Sequence, residues 1–299
     1  MIGPLFHPRR RRPSEVARPP RFELATKVPI GWVLERLAAW LAHWERAELL
    51  TPEIDIAIRG LPAAFAGYRI ALVTDLHRGP VVPVWWLEHV ADRVVELKPD
   101  LVVLGGDFVS HAKSDLRDLQ RVLARYTAPD GTMAVLGNHD HWVGADAVAA
   151  VIRGAGAEIM HNRHRLIRRG TAALAVAGVD DFTHGAVRPG DALRDVPRDV
   201  PRVLISHNPD LIEYLPADLR VDLMLSGHTH NGQVHWPIIG PLTVPSQFGK
   251  RYLHGLHCVG ERSIYVSAGV GSSAMPLRLG NPPELPVIRL KAEEGGRGR

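Results

Sequence analysis

Arg69-Ile70-Ala71-Leu72-Val73-Thr74-Asp75-Leu76-His77 sets an apolar run directly against a carboxylate and an imidazole two residues apart. A run of that length reads as a buried strand, and Asp75-Leu76-His77 as the loop where it ends. The pattern recurs along the chain. Leu101 to Leu104 precedes Gly106-Asp107, Val203 to Ile205 precedes Ser206-His207-Asn208, and Leu223 to Leu225 precedes Gly227-His228-Thr229-His230. A further polar station is Gly137-Asn138-His139-Asp140. Ligands at strand ends converge on one rim of a sheet, so these five stations are expected to meet.

Working outward, Pro83 to Leu97 and Leu116 to Tyr126 carry helical patterns between the strand-like runs. This alternation predicts an α/β layered arrangement. Upstream, Ile54, Ile56 and Ile58 alternate with Asp55, Ala57 and Arg59, a half-buried strand that opens the catalytic domain, placed at residues 53–291. The later strand-like runs, Val203 to Ser206, Val221 to Ser226, Gly232 to Trp236, Ser263 to Ser267 and Pro286 to Leu290, have few helices between them and predict a mixed second sheet. Residues 292–299 read as a flexible tail.

The chain has 299 residues, 45% hydrophobic and 23% charged, enough to bury a sizeable core. Its formal net charge of +4 has a local address: Arg9 to Arg12, Arg18, Arg21 and Lys27, among prolines, make residues 1–27 a disordered basic tail. Charge gathered at one end does not make a nucleic-acid groove, and no nucleic acid is expected. Residues 28–50 form a predicted amphipathic helix, with Val33, Leu34, Leu37, Trp40, Leu41 and Trp44 at spacings of three and four. Trp32, Trp40 and Trp44 beside the basic tail suit a membrane interface; the alternative is packing on the chain's own domain or a dimer contact.

The arginine block lacks the apolar core of an export signal behind it, and no run reaches the roughly 18 apolar residues of a spanning helix. The expected location is cytoplasmic, peripheral at the inner face of the membrane. A single cysteine, Cys258, excludes an intrachain disulfide and is expected to be buried in the strand-like Leu256 to Val259.

The stations supply Asp75, Asp107, Asn138, His77, His207, His228 and His230 as candidate metal ligands. Imidazole and oxygen donors without a thiolate suit Mn, Fe, Zn, Co or Mg rather than a structural zinc. His228 and His230 sit two apart, so a turn can divide them between two ions, and Gly227 lets the backbone crowd against them. Two ions about 3.5–4 Å apart hold a hydroxide between them and brace an in-line displacement at phosphorus. The leaving alkoxide needs a proton, and His139 is placed to give it, with Asp140 and His141 the candidates for orienting its ring. Arg278, after the turn Gly269 to Ser273, is the candidate for binding substrate phosphate. Trp85 and Trp86 either wall an apolar entrance or pack a helix on the sheet. His161, His164, His184, His235, His254 and His257 match no station and read as ordinary histidines.

In this order the motifs resemble the calcineurin-like metallophosphoesterase family, with its stations D-x-H, G-D, G-N-H-D/E, a later histidine and G-H-x-H, from about Tyr68 to Leu290. The resemblance implies a four-layer α-β-β-α sandwich of two mixed sheets with a dinuclear metal site at one sheet edge. It implies two divalent ions, manganese foremost: Asp75, His77 and His230 on the first, Asp107 bridging, Asn138, His207 and His228 on the second, and His139 as the acid. Thr74 to His77, Gly227 to Gln233 and Pro276-Leu277-Arg278 together resemble a bacterial phosphodiesterase branch that includes UDP-diacylglucosamine pyrophosphatases. Phosphoprotein phosphatases fit less well, because Gly106-Asp107-Phe108-Val109-Ser110-His111 lacks their Asp-Arg-Gly.

The expected activity is therefore hydrolysis of a phosphodiester or pyrophosphate, with a lipid-linked nucleotide such as UDP-diacylglucosamine as the leading substrate. Soluble nucleotides are the alternative, and a membrane or nucleic-acid adaptor with a vestigial site is the remote one. The oligomeric state is not legible.

Overall fold

The structure, a computed structural model, describes residue 44 and residues 47–236, 238–241, 243–273, 275 and 277–293. The strands are β1 (Glu53–Ile58), β2 (Arg69–Val73), β3 (Leu101–Leu104), β4 (Thr132–Ala134), β5 (Glu158–Ile159), β6 (Arg163–Arg169), β7 (Ala172–Gly178), β8 (Arg202–Ile205), β9 (Leu223–Ser226), β10 (His235–Trp236), β11 (Gly240–Pro241), β12 (Gly255–Val259), β13 (Arg262–Val266) and β14 (Val287–Ala292). The helices are α1 (Val84–Leu97), α2 (Leu119–Leu123), α3 (Asn138–Val143), α4 (Ala145–Gly154) and α5 (Pro189–Ala192).

Among the described residues these strands build two six-stranded mixed sheets, ordered β1-β14-β2-β3-β4-β5 and β12-β13-β9-β8-β7-β6, plus the hairpin β10-β11. Strand β2 is buried on both faces, as a parallel strand with apolar cover on each side must be. Its Ala71 and Val73 pack outward against Trp86, Leu87, Val90 and Val94 of α1. Its Ile70 and Leu72 point the other way, into a core shared with Leu174, Val176, Val203, Ile205, Leu223 and Leu225 of the second sheet. The far face of that sheet, Ala175, Ala177, Leu204 and Met224, packs on Leu193, Leu211 and Ile212. Three apolar layers thus separate four layers of structure, α-β-β-α, and each fully buried leucine or isoleucine contributes about 1.5–3 kcal/mol.

What positions the site is direction. Strands β2, β3 and β4 run parallel to one another, as do β7, β8, β9 and β13, so the stations that follow them emerge together at one edge.

Several expectations are corrected. The run Pro286 to Leu290 becomes β14 and joins the first sheet, parallel to β1 on one side and antiparallel to β2 on the other. Periodicity marks a strand without naming its partner. Gly232 to Trp236 supplies only the two residues of β10, and Leu116 to Tyr126 only the short α2. Cys258 is exposed, because β12 is an edge strand whose residues alternate between cover and solvent.

Trp44 is buried, its ring centroid 5.0 Å from that of Trp86 and its Nε1 donating to the Val81 carbonyl at 2.8 Å, so it packs on the domain rather than facing lipid. Residues 47–49 are not helical and Leu50 bridges to Glu284, so the expected helix has ended by Ala47. The basic tail, the rest of that helix with Trp32 and Trp40, and residues 294–299 lie outside the described residues. Among the described residues no helix is long and apolar enough to cross a membrane.

Candidate metal centre

The first sheet delivers Asp75 and His77 after β2, Asp107 after β3, and Asn138 and His139 after β4. The second delivers His207 after β8, and His228 and His230 after β9. Hydrogen bonds sew these loops together across the two sheets. The His228 backbone N–H donates to both carboxylate oxygens of Asp75 at 3.1 Å, and His207 Nδ1 donates to the Gly105 carbonyl at 2.8 Å. Because a carbonyl only accepts, that bond places a proton on Nδ1 and leaves Nε2 as the ring atom facing the site.

The donor atoms fall into two adjoining groups, and His139 stands close enough to His77 and Asp107 to make a third triad with them. In one, His77 Nε2 lies 2.9 Å from His230 Nε2, and Asp75 Oδ1 lies 3.4 Å from His230 Nε2 and 4.0 Å from His77 Nε2. In the other, His207 Nε2 is 3.2 Å from His228 Nδ1. Asp107 Oδ2 belongs to both, 3.5 Å from His77 Nε2 and 3.2 Å from His207 Nε2. Donors bonded to one ion at about 2.0–2.1 Å stand roughly 3 Å apart at right angles, so these spacings suit a shared cation at each group. Without an ion, each facing pair of ring nitrogens needs a proton on one partner, which then donates to the other. Asn138 Oδ1, buried and without a hydrogen-bond partner, is a further oxygen of the right kind.

Electrostatics prepares the same donor set. Burial pushes His77 and His230 well below the ordinary histidine value, and His228 down as well, keeping these imidazoles neutral. Burial opposes charge on Asp107, but the imidazoles of His207, His77 and His139 prevail and hold its carboxyl well below the usual carboxylate range. Burial likewise opposes charge on His207, yet the Asp107 carboxylate prevails and lifts it to about 10. An ionised carboxylate ringed by imidazoles is a cation site by its chemistry.

The backbone is strained where it presents these groups. Asp75, His77, Asp107, His228 and His230 have φ of 57°, 46°, 54°, 71° and 51°. Left-handed conformations in non-glycine residues cost on the order of 1–3 kcal/mol each and persist only where the surroundings enforce them. The station glycines serve a different need, close approach. A Cβ on Gly137 would meet Asp107 Oδ1 at 2.2 Å, and one on Gly227 would meet Asp75 Oδ2 at 2.3 Å.

His139 lines the cleft, and its Nδ1 donates to the Ser110 carbonyl at 2.6 Å. Ser110 is therefore the orienting residue, in place of Asp140 and His141. His141 turns instead to Asp180, Nε2 to Oδ1 at 2.9 Å, and His161 reaches the other Asp180 oxygen at 2.8 Å. Asp140 accepts the backbone N–H groups of Asp107, Phe108 and Gly137, each at 2.9 Å, and so ties two stations together. Asp140→Ala leaves these buried donors unpaired and is expected to cost ~3 kcal/mol of stability in urea denaturation, against ~1 or less if the carboxylate is dispensable.

Arg278 is placed differently from its expectation. Its guanidinium donates to the carbonyls of Gly271 at 2.7 Å, Pro282 at 3.2 Å and Ala268 at 2.5 Å and reaches His230 Nδ1 at 3.4 Å, so it backs a candidate ligand, and it is not among the residues lining the cleft. Trp86 is buried, its Nε1 donating to the Val270 carbonyl at 2.9 Å, so it packs the helix; Trp85 is partly exposed and is likewise not among the lining residues. The cleft, about 270 Å³, takes its apolar wall from Trp142, Val234, Pro245 and Met275, which the motifs do not single out. The indole of Trp142 lies 4.2 Å from the His139 ring, and its place five residues after Gly137 on α3 was the only available signal.

Comparison with known proteins agrees with this geometry. A family model described as calcineurin-like phosphoesterase matches residues 68–232. Phosphodiesterase YaeI of Escherichia coli is 34% identical over 75% of this chain and 83% of its own length. The uncharacterized metallophosphoesterase YkuE of Bacillus subtilis is 30% identical over 81% and 85%. UDP-2,3-diacylglucosamine pyrophosphatase LpxG of Chlamydia trachomatis is 27% identical over 85% and 94%. Donor residues gathered from two packed sheets at one edge, in a chain with these relatives, leave one conclusion: it belongs to the calcineurin-like phosphoesterase family, hydrolases of phosphoester bonds that work with divalent metals.

Proposed function

We infer that the chain is a dinuclear phosphodiesterase or pyrophosphatase. The observation that carries this reading is Asp107 Oδ2, one carboxylate oxygen within 3.5 Å of donors from both groups. Asp75, His77 and His230 would hold one ion and Asn138, His207 and His228 the other, with Asp107 shared. Two divalent ions, when bound, supply an activated water and neutralise charge at phosphorus. The chain's own residues do the rest. His139, with Nδ1 committed to Ser110, presents Nε2 toward the cleft and can pass a proton to the departing alkoxide.

Substrate preference follows from the walls. The cleft lining contains no lysine or arginine among the described residues, so nothing there clamps the dianion of a phosphomonoester. Diesters and pyrophosphates with an apolar substituent suit the wall of Trp142, Val234, Pro245 and Met275 better. With LpxG among the relatives, a lipid-linked nucleotide such as UDP-diacylglucosamine is the first substrate to try.

The test is chelator-stripped protein refilled with Mn, Zn, Co or Mg and assayed on bis-p-nitrophenyl phosphate and p-nitrophenyl phosphate. Diester turnover restored by at least ~100-fold, with two ions per chain by elemental analysis, is expected. One ion per chain at full activity, or turnover unaffected by stripping, would sink the dinuclear reading.

A further inference from the structure

Beside the cleft stands the β10-β11 hairpin, with His235 opposite Pro241 and Trp236 opposite Gly240. Trp236 is 53% exposed, Ile239 63% and Ile238 108%. Ile238 also sits at φ 72°, a left-handed conformation disfavoured for a β-branched side chain. A projecting, strained isoleucine adds nothing to the core, so its use lies in what it meets.

The surroundings of this tip are built. The buried Gln233 side chain donates through Nε2 to the carbonyls of Ser273 at 2.9 Å and of Met275 and Leu277 at 3.2 Å, and its Oε1 accepts the Ser273 N–H at 2.8 Å. That clip holds the exposed side chains of Met275 and Leu277 alongside the hairpin, and Val234 bridges to Leu279. Val234, Pro245 and Met275 also wall the cleft, so the segment leading into the hairpin is shared with the candidate site.

Charge is missing from this tract: residues 231–249 contain no Asp, Glu, Lys or Arg. The tract ends at Lys250, whose Nζ lies 3.5 Å from where a Gly240 Cβ would stand, and which has no ion pair among the described residues. Arg251 beside it is committed to Glu213 at 2.6 Å.

We propose that Trp236, Ile238 and Ile239 at the hairpin tip seat the protein on a lipid surface bearing anionic headgroups. Ile238 and Ile239 enter the acyl region, the Trp236 indole settles at the headgroup boundary and Lys250 meets lipid phosphate. A second copy of the chain fits less well, since a protruding tip needs a matching groove to make a stable interface. Seated this way, the cleft mouth opens beside the bilayer and draws its substrate from lipid, a use that rests on the phosphohydrolase reading. The lipid contact itself can be measured without it.

Full-length protein is sedimented with vesicles of phosphatidylcholine and phosphatidylglycerol at 3:1, in parallel with Ile238→Asp/Ile239→Asp and Lys250→Glu. The double variant is expected to lose at least ~100-fold in partitioning, about tenfold per isoleucine, and Lys250→Glu about threefold to tenfold. Hydrolysis of bis-p-nitrophenyl phosphate without vesicles should be unchanged in the double variant, which shows it is folded. Equal binding by wild type and double variant, or no binding by wild type, overturns the proposal. So does a wild-type dimer by light scattering that the double variant turns into a monomer. Failure to hydrolyse the soluble diester in every form would count against the phosphohydrolase reading alone.

Discussion

Asp107→Asn is expected to lower kcat on bis-p-nitrophenyl phosphate by at least ~10³-fold and to reduce the metal content of the purified protein. The amide keeps the shape and an oxygen for the His139 backbone N–H, which Asp107 Oδ1 accepts at 2.9 Å, so the fold survives. What it removes is the negative charge of Oδ2 between the two donor groups. Asp75→Asn, which touches only one group, should lose less metal than Asp107→Asn. Turnover within threefold of wild type for Asp107→Asn, with metal retained, would contradict the shared-ligand geometry.

His139→Ala should leave metal content intact and cut kcat by about 10²–10⁴ for substrates with poor leaving groups. The dependence on leaving group separates its role from that of a ligand. An alkyl or phenyl ester needs a proton as it departs, whereas p-nitrophenolate leaves readily without one. The loss on a phenyl diester should therefore exceed that on bis-p-nitrophenyl phosphate by at least ~tenfold. Equal losses on both would mean that the ring only positions substrate. Ser110 acts on this ring through its backbone carbonyl, so Ser110→Ala should be nearly silent in kcat, although its hydroxyl donates to the His77 carbonyl at 2.9 Å.

The candidate donors that the structure gathers could be picked out because their types are dictated by chemistry and their positions by strand ends. A station such as Gly227-His228-Thr229-His230 behind Leu223 to Leu225 encodes donor and scaffold in one stretch. Residues that act through geometry were less legible. Ser110 orients His139 with a backbone carbonyl, a group every residue possesses. Arg278 announced a guanidinium, but nothing in its neighbours announced the three carbonyls and the His230 ring that occupy it. Trp44 sits at helical spacing on an apolar stripe, and only packing decides whether such a stripe meets lipid or Trp86. The exposed hairpin escaped for the opposite reason: Gly232 to Trp236 reads as another strand of the core.

The position of β14 has a consequence for how the molecule is made. Among the described residues strand β1 pairs only with β14, so a growing chain carries β1 without that partner from residue 58 until residues 287–292 have been synthesised. At 5–20 residues per second that wait lasts roughly 10–50 s. Unpaired strands of this kind invite association between chains, and acidic side chains along them discourage it. Glu53 and Asp55 supply that repulsion; Glu53 is answered by Arg69 of β2 at 2.9 Å, with Arg289 at 3.8 Å, whereas Asp55 finds its counterparts on the late strand, Arg289 and Lys291, the latter at 2.8 Å. Asp55, one of the acids that keep nascent copies apart, is also the one that meets the strand completing the sheet.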